Sequence, residues 1–133
     1  MAEQHQVSVG RVYDARARGD GTRVLVDRMW PRGLSRDRAD LDEWARDVAP
    51  SAGLRTWYGH DPDLFAPFAE RYRDELDDPL RAEALDHLRS LARRRNLTLL
   101  TATARLELSH AQVLAQLLTD DAEGPGATGT GPE

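Results

Sequence analysis

Lysine and cysteine are both missing from the 133 residues, so all 18 basic side chains are Arg. Without Lys there is no Schiff base to a carbonyl substrate or to pyridoxal phosphate, and no P-loop lysine. Without Cys there is no thiolate nucleophile, disulfide, iron–sulfur cluster or cysteine-built zinc site. No apolar run approaches the roughly 20 residues that span a bilayer. Residues 1–6, Met-Ala-Glu-Gln-His-Gln, lack the basic and apolar regions of a signal peptide, so the cytoplasm is the expected location. What is present for chemistry is Asp, Glu, Tyr, Ser, Thr, four His and the permanently charged guanidinium.

The length suits one domain with a modest core. With 40% hydrophobic and 31% charged residues the chain reads as globular rather than disordered. The net charge of −5 hides a segregation: residues 10–38 carry eight Arg against four Asp, and residues 39–88 carry five Arg against thirteen acidic residues. A basic segment inside an acidic protein fits a local pocket for a small anion, or simply a solvated surface. It does not fit general nucleic-acid affinity, which calls for a basic domain.

Val7–Tyr13 alternates apolar and polar residues and predicts a strand ending near Asp14. Arg23–Asp27 and Leu97–Ala102 are near-continuous apolar runs, the pattern of buried strands. Asp40-Leu-Asp-Glu43 has capping-box spacing and predicts a helix through Leu41, Trp44 and Val48, ending before Pro50. Ser51 is placed to cap a short turn through Leu54 and Trp57. Asp61-Pro62 and Asp78-Pro79 each combine an N-cap with a proline in the first turn. Pro67 requires that the first of these two helices start late or bend. Ser109 opens a last helix with Val113, Leu114, Leu117 and Leu118 on one side.

The expected fold is therefore α/β, a Rossmann-like single domain. Its small, mostly parallel sheet has three to four strands and about four flanking helices. The expected limits are a disordered segment at 1–6, the domain at 7–119, and at 120–133 a disordered tail, acidic and then rich in Gly, Thr and Pro. Ligands of such sheets bind beyond the carboxyl ends of the strands. Here those ends are Asp14, the loop 27–33 and the loop 103–109.

Arg28 and Arg32 flank Trp30 on a loop stiffened by Pro31, right after a buried strand. Two guanidinium groups so placed can clamp a phosphate or carboxylate with paired hydrogen bonds. Trp30 either stacks on a planar ligand or packs over the sheet, and Arg28 either binds the anion or pairs with Asp27 or Asp14. His60, beside Trp57 and Tyr58, is a candidate acid or base near neutral pH, or else a loop-bonded histidine, while Asp61 reads as a cap. Arg71 and Tyr72 follow on the next helix, with Tyr72 on its apolar face. His110 falls at a helix N-terminus, where a protonated imidazole is disfavoured, so it is expected to be neutral or to face solvent. No two histidines have metal-ligand spacing, and no Gly-rich phosphate loop or Gly-x-Ser-x-Gly elbow occurs.

Arg11–Asp14, Asp20–Ser35, Ala49–Ser51, Leu54–Trp57, Gly59–Pro62 and Arg71-Tyr72 together resemble the short, YeaO-like branch of the DUF488 family, over about residues 7–118. The block Val-Asp-Arg-Met-Trp-Pro-Arg-Gly joined to His-Asp-Pro carries the resemblance. It implies a compact α/β domain of unknown function whose signature residues gather near the strand ends: Asp27, Arg28, Trp30, Arg32, Trp57, His60 and Asp61. The end of the third buried strand departs from the family's pattern, which places an Asp and then His-Asn there. This chain has Arg105, Leu108 and Ser109, so a function resting on those polar groups would be lost or altered.

Two readings follow. In the first, the chain is a small enzyme acting on an anionic small molecule: Arg28 and Arg32 bind the anion, His60 transfers protons, Asp27 orients His60 or an arginine, and Trp30, Trp57, Arg71 and Tyr72 complete the pocket. In the second it is a non-catalytic module binding a ligand or protein. A DNA-binding regulator ranks third, because the net charge is acidic and no basic recognition helix stands out. No membrane partner is expected, and neither cofactor nor oligomeric state is legible.

Overall fold

A computed structural model describes residues 5–128, with side chains through residue 120. Four strands, β1 (Val7–Arg11), β2 (Thr22–Leu25), β3 (Glu43–Trp44) and β4 (Leu97–Thr101), form one sheet in the order β1-β4-β2-β3. Every pairing is parallel. Strand β4 lies between two neighbours and is buried along its whole length, which is why its sequence is an unbroken apolar run rather than an alternating one. The five α-helices are α1 (Arg36–Ala39), α2 (Ala52–Tyr58), α3 (Phe65–Glu75), α4 (Pro79–Arg94) and α5 (His110–Thr128). The chain is a single α/β domain, Rossmann-like in the loose sense of a parallel sheet covered on both faces. Its β1-to-β2 link contains no helix.

One face of the sheet, with Val24, Val26, Leu97 and Leu99, packs on Leu54, Phe68, Tyr72, Leu88 and Leu114 of α2 to α5. Each buried leucine there contributes roughly 1.5–3 kcal/mol. The other face, with Val12, Leu25 and Leu100, is covered by Ala39 of α1 and by Leu34, Trp30 and Trp44.

The caps act largely as their sequence spacing suggests. Ser51 Oγ accepts from Leu54 N, and Asp78 Oδ2 accepts from Arg81 N. Asp61 caps a 3-10 turn, Pro62–Leu64, before α3 begins at Phe65. Pro67 thus falls in the first turn of α3, where its missing N–H has no partner to lose.

The helix expected over 41–48 does not form. Asp40 adopts a left-handed backbone (φ 51°) and closes α1. Beyond it, Asp42 N donates to the Arg23 carbonyl and Ala45 N to that of Leu25, so the segment becomes edge strand β3 followed by a 3-10 turn, Arg46–Val48. The Asp42 carboxylate accepts from the backbone N–H of Arg23 at 2.8 Å instead of capping a helix. Sheet pairing supplies the backbone partners that a capping box would have offered.

Two limits also differ. Gln6 is tied to the sheet, its N–H donating to Asn96 Oδ1 and its carbonyl accepting from Leu97 N. Helix α5 continues through residue 120, where Gln116 donates to Asp120 one turn on, and its backbone remains helical to Thr128. Residues 129–133 of the expected tail and residues 1–4 lie outside the described residues.

Gly21 has φ 66°, and a Cβ there would lie 2.0 Å from the Asn96 carbonyl oxygen. Only glycine lets the β1–β2 loop sit against β4 in this way.

Candidate functional site

A cleft of about 720 Å³ opens beyond the carboxyl ends of the strands. Every strand contributes to its wall: Tyr13 after β1, Asp27 to Arg32 after β2, Ala49 and Pro50 after β3, Ala102 and Thr103 after β4. Helix α2 and its end add Arg55, Tyr58 and His60, and the start of α5 adds Ser109 and His110. This is the position where ligands of parallel sheets bind, and the volume is within the range of small-molecule sites.

At the floor, Asp27 and His110 are mostly buried, with side-chain exposures of 18% and 11%. Asp27 Oδ2 accepts from Ala102 N at 2.8 Å, which ties the loop after β2 to the end of β4. His110 Nε2 lies 2.9 Å from the Val26 carbonyl oxygen and 3.4 Å from Asp27 Oδ1. A carbonyl can only accept, so the imidazole proton is on Nε2. Burial pushes the His110 pKa down, Asp27 and the Val26 carbonyl pull it back up, and the positive charges of Arg55 and His60 push it down further. The net direction is downward, so His110 is neutral at pH 7. Asp27 Oδ1 is buried and, within the described residues, accepts no hydrogen bond.

The loop after β2 is held by its tryptophans and proline. Trp30 Nε1 donates to the Leu34 carbonyl at 2.6 Å and its ring meets Trp44 edge-on at 5.3 Å. Trp44 Nε1 in turn donates to the Asp27 carbonyl at 2.7 Å. Arg36 covers Trp30, its guanidinium 4.6 Å from the ring centroid. Trp30 is therefore both a cleft residue and part of the packing over the sheet. Arg28 and Arg32, on either side of it, are exposed and make no hydrogen bond or ion pair within the described residues. Arg55, on α2, shares both properties.

His60 is exposed, lines the cleft, and holds a left-handed backbone (φ 59°) directly after Gly59, the left-handed cap of α2. Its ring sits 5.8 Å from that of Tyr58. Tyr58 donates to the Leu108 carbonyl at 2.7 Å, and burial raises its pKa.

Of the residues singled out from the sequence, Asp27, Arg28, Trp30, Arg32 and His60 thus meet in one cleft. Trp57, Arg71 and Tyr72 do not line it. Arg71 stacks on Trp57 at 4.2 Å, so the two cover each other on the surface. Tyr72 is fully buried and donates to the Val48 carbonyl at 2.5 Å, which makes it a core residue. Asp27 engages Ala102 and His110 rather than orienting His60. Asp61 caps Asp63 N and does not reach the cleft. No three His, Asp or Glu among the described residues are grouped to hold a metal ion.

Two further residues, Arg55 and His110, line the cleft. Arg55 lies within the Leu-Arg-Thr-Trp block that carries the family resemblance, and that block was the available signal. His110 faces the floor of the cleft rather than solvent, because its Nε2 meets the Val26 carbonyl just beyond β2. At the end of β4, Arg105 pairs with Glu107 in solvent, and Ser109 Oγ donates to the Leu106 carbonyl.

A four-stranded parallel sheet with an arginine-lined cleft at its carboxyl ends defines a class of small α/β domains. Within that class the chain belongs to the DUF488 family, matching the inactive DUF488-N3 subclade over residues 6–130. It is 48% identical over 118 residues to the uncharacterised protein Rv3073c of Mycobacterium tuberculosis, covering 89% of this chain and 98% of that one. It is 38% identical over 108 residues to the uncharacterised protein YeaO of Escherichia coli K12, covering 81% and 92%. No solved structure matches. No helix among the described residues is long and apolar enough to cross a membrane.

Proposed function

We propose that the chain is a non-catalytic binding module for a small anion, with the cleft at the strand ends as its site. The observation that carries this reading is the pair Arg28 and Arg32: exposed at the mouth of a preformed cleft, on a loop fixed by Trp30 and Pro31, with no hydrogen-bonding or ionic partner in the described protein. A loop held in place presents the two guanidinium groups to phosphate or carboxylate, so that binding costs the freedom of the side chains and not that of the backbone.

The non-catalytic half rests on the groups that catalysis would need. Asp27 and His110 are engaged with backbone groups at the floor. The end of β4 offers Arg105, Leu108 and Ser109, none of which is placed as an acid or base. The description of the matching subclade as inactive agrees with this reading.

One observation favours the enzymatic alternative. His60 is a non-glycine residue in a left-handed conformation on the cleft wall, and such backbone strain gathers at working sites. In the binding reading His60 donates to the anion; in the enzymatic one it transfers a proton.

Thermal unfolding in rising inorganic phosphate tests the proposal. Wild type should gain stability with phosphate, as a ligand of the folded state does. Arg28→Ala should lose most of that gain while its phosphate-free Tm stays within a few degrees. An undiminished gain in Arg28→Ala contradicts the proposal. Turnover of a phosphomonoester such as p-nitrophenyl phosphate, abolished by His60→Ala, would replace the binding reading with the enzymatic one.

A further inference from the structure

The charge on the cleft wall narrows the class of anion, granted that the cleft binds one. Arg28, Arg32 and Arg55 contribute three positive charges to the lining, and Asp27 is the one acidic side chain in it. That carboxylate has one oxygen on Ala102 N and the other 3.4 Å from His110 Nε2. Three arginines against one aspartate leave the lining at a formal +2 in a molecule whose net charge is −5. Like charges collected around one cavity repel, and a ligand of comparable negative charge relieves the arrangement.

The cations also stand in two groups. Arg28 and Arg32 come from the loop after β2, while Arg55 and His60 come from α2 and its end. Arg55 and His60 line the same cleft as His110, and each disfavours its protonation. One phosphoryl group is well served by two guanidinium forks. The second group of donors would then have no anion to bind.

We infer that the natural ligand carries two adjacent anionic groups, as a diphosphate does, one held by Arg28 and Arg32 and the other by Arg55 and His60. At pH 7 a single phosphoryl group carries roughly −1.5 to −2, so a diphosphate more than offsets the lining. The apolar part of the wall, Tyr13, Met29, Pro31, Pro50 and Phe68, faces the organic portion of such a molecule. Tyr13 and Met29 are 43% and 67% exposed at the rim, apolar surface that a bound ligand would cover.

Calorimetric titration with inorganic pyrophosphate and inorganic phosphate, using wild type and Arg55→Gln, separates this inference from the simpler one. Wild type should bind pyrophosphate at least tenfold more tightly than phosphate. Arg55→Gln should weaken pyrophosphate at least tenfold and phosphate less than threefold, and circular dichroism should confirm that the variant is folded. If Arg55→Gln is misfolded, Arg55→Met serves the same comparison, and the wild-type preference is read regardless. Equal affinity for the two anions overturns the diphosphate inference and leaves a single-anion site standing. Equal weakening of both anions by the substitution also overturns it. Binding of neither anion overturns both readings.

Discussion

Arg23 and Arg28 stand five positions apart, one in β2 and the other in the loop that follows, yet their surroundings are opposite. Arg23 is 1% exposed, and its guanidinium donates to the carbonyls of Asp14, Ala39 and Asp40 and to the Asp20 carboxylate. Beside it Arg16 binds Asp40 and Asp42, which raises the Arg16 pKa and lowers that of Asp40. Arg28 faces solvent at the cleft with no hydrogen bond or ion pair in the described protein. One arginine completes the fold, and the other is left for something outside it. The histidines repeat the contrast: His110 is bonded into the floor, and His60 is exposed on the wall. A basic segment can thus serve structure and binding at once, and charge counts alone do not separate the two.

The largest effect should come from Arg23. Replacing it with Met leaves the Asp14 and Ala39 carbonyls without their donor, the Asp40 carbonyl with Arg16 alone, and Asp20 without its cation. A loss of about 3–5 kcal/mol is expected, measured by urea denaturation. A loss under 1 kcal/mol would dissolve the contrast with Arg28.

Arg32→Ala sits on the other side of the comparison. Phosphate affinity should fall at least tenfold while stability changes by less than about 0.5 kcal/mol, the usual range for an exposed residue. A stability loss as large as that of the Arg23 variant, without a change in affinity, would make both arginines structural.

The next effect depends on pH. Burial favours neutral His110 in the folded protein, so the unfolded chain takes up the proton more readily below the ordinary histidine pKa of 6.5. The stability contribution of this group is therefore complete above that pH and is lost as the pH falls toward the lowered folded pKa. Wild type should lose stability between pH 7 and pH 5 faster than His110→Gln, by at most about 1.4 kcal/mol per pH unit. Parallel curves for the two proteins would mean that His110 is not held neutral.

A change of the opposite sign is expected at His60. A left-handed backbone costs a non-glycine residue about 1–3 kcal/mol, and the extra freedom of an unfolded glycine takes back about 0.5–1 kcal/mol. His60→Gly should leave stability equal or raised by up to about 2.5 kcal/mol while weakening phosphate binding. Lower stability with unchanged binding would make His60 a structural residue like His110.

Much of the fold is written locally. The apolar runs 23–27 and 97–102 mark the two central strands, and Ser51, Asp61, Asp78 and Ser109 mark turn and helix starts. Residues 40–48 misled because a capping box is a statement about one segment, whereas β3 exists through the backbone of Arg23 and Leu25 on another. The candidate site was legible where it lies on a strand end. Asp27, Arg28, Trp30 and Arg32 follow β2 directly, and parallel topology fixes which way that end points. It was not legible on helices. Periodicity places Trp57, Arg71 and Tyr72 on faces but does not say which neighbour a face meets, so the Arg71–Trp57 stack and the buried Tyr72 hydroxyl appear only in three dimensions.

The central claim is that Arg28 and Arg32 are unpaired because an anion pairs them. A crystal of the chain soaked in inorganic phosphate examines it directly. Density for one phosphate bridging the two guanidinium groups at hydrogen-bond distance is the predicted result. An empty cleft, with Arg28 and Arg32 folded onto carboxylates of their own chain, would contradict it.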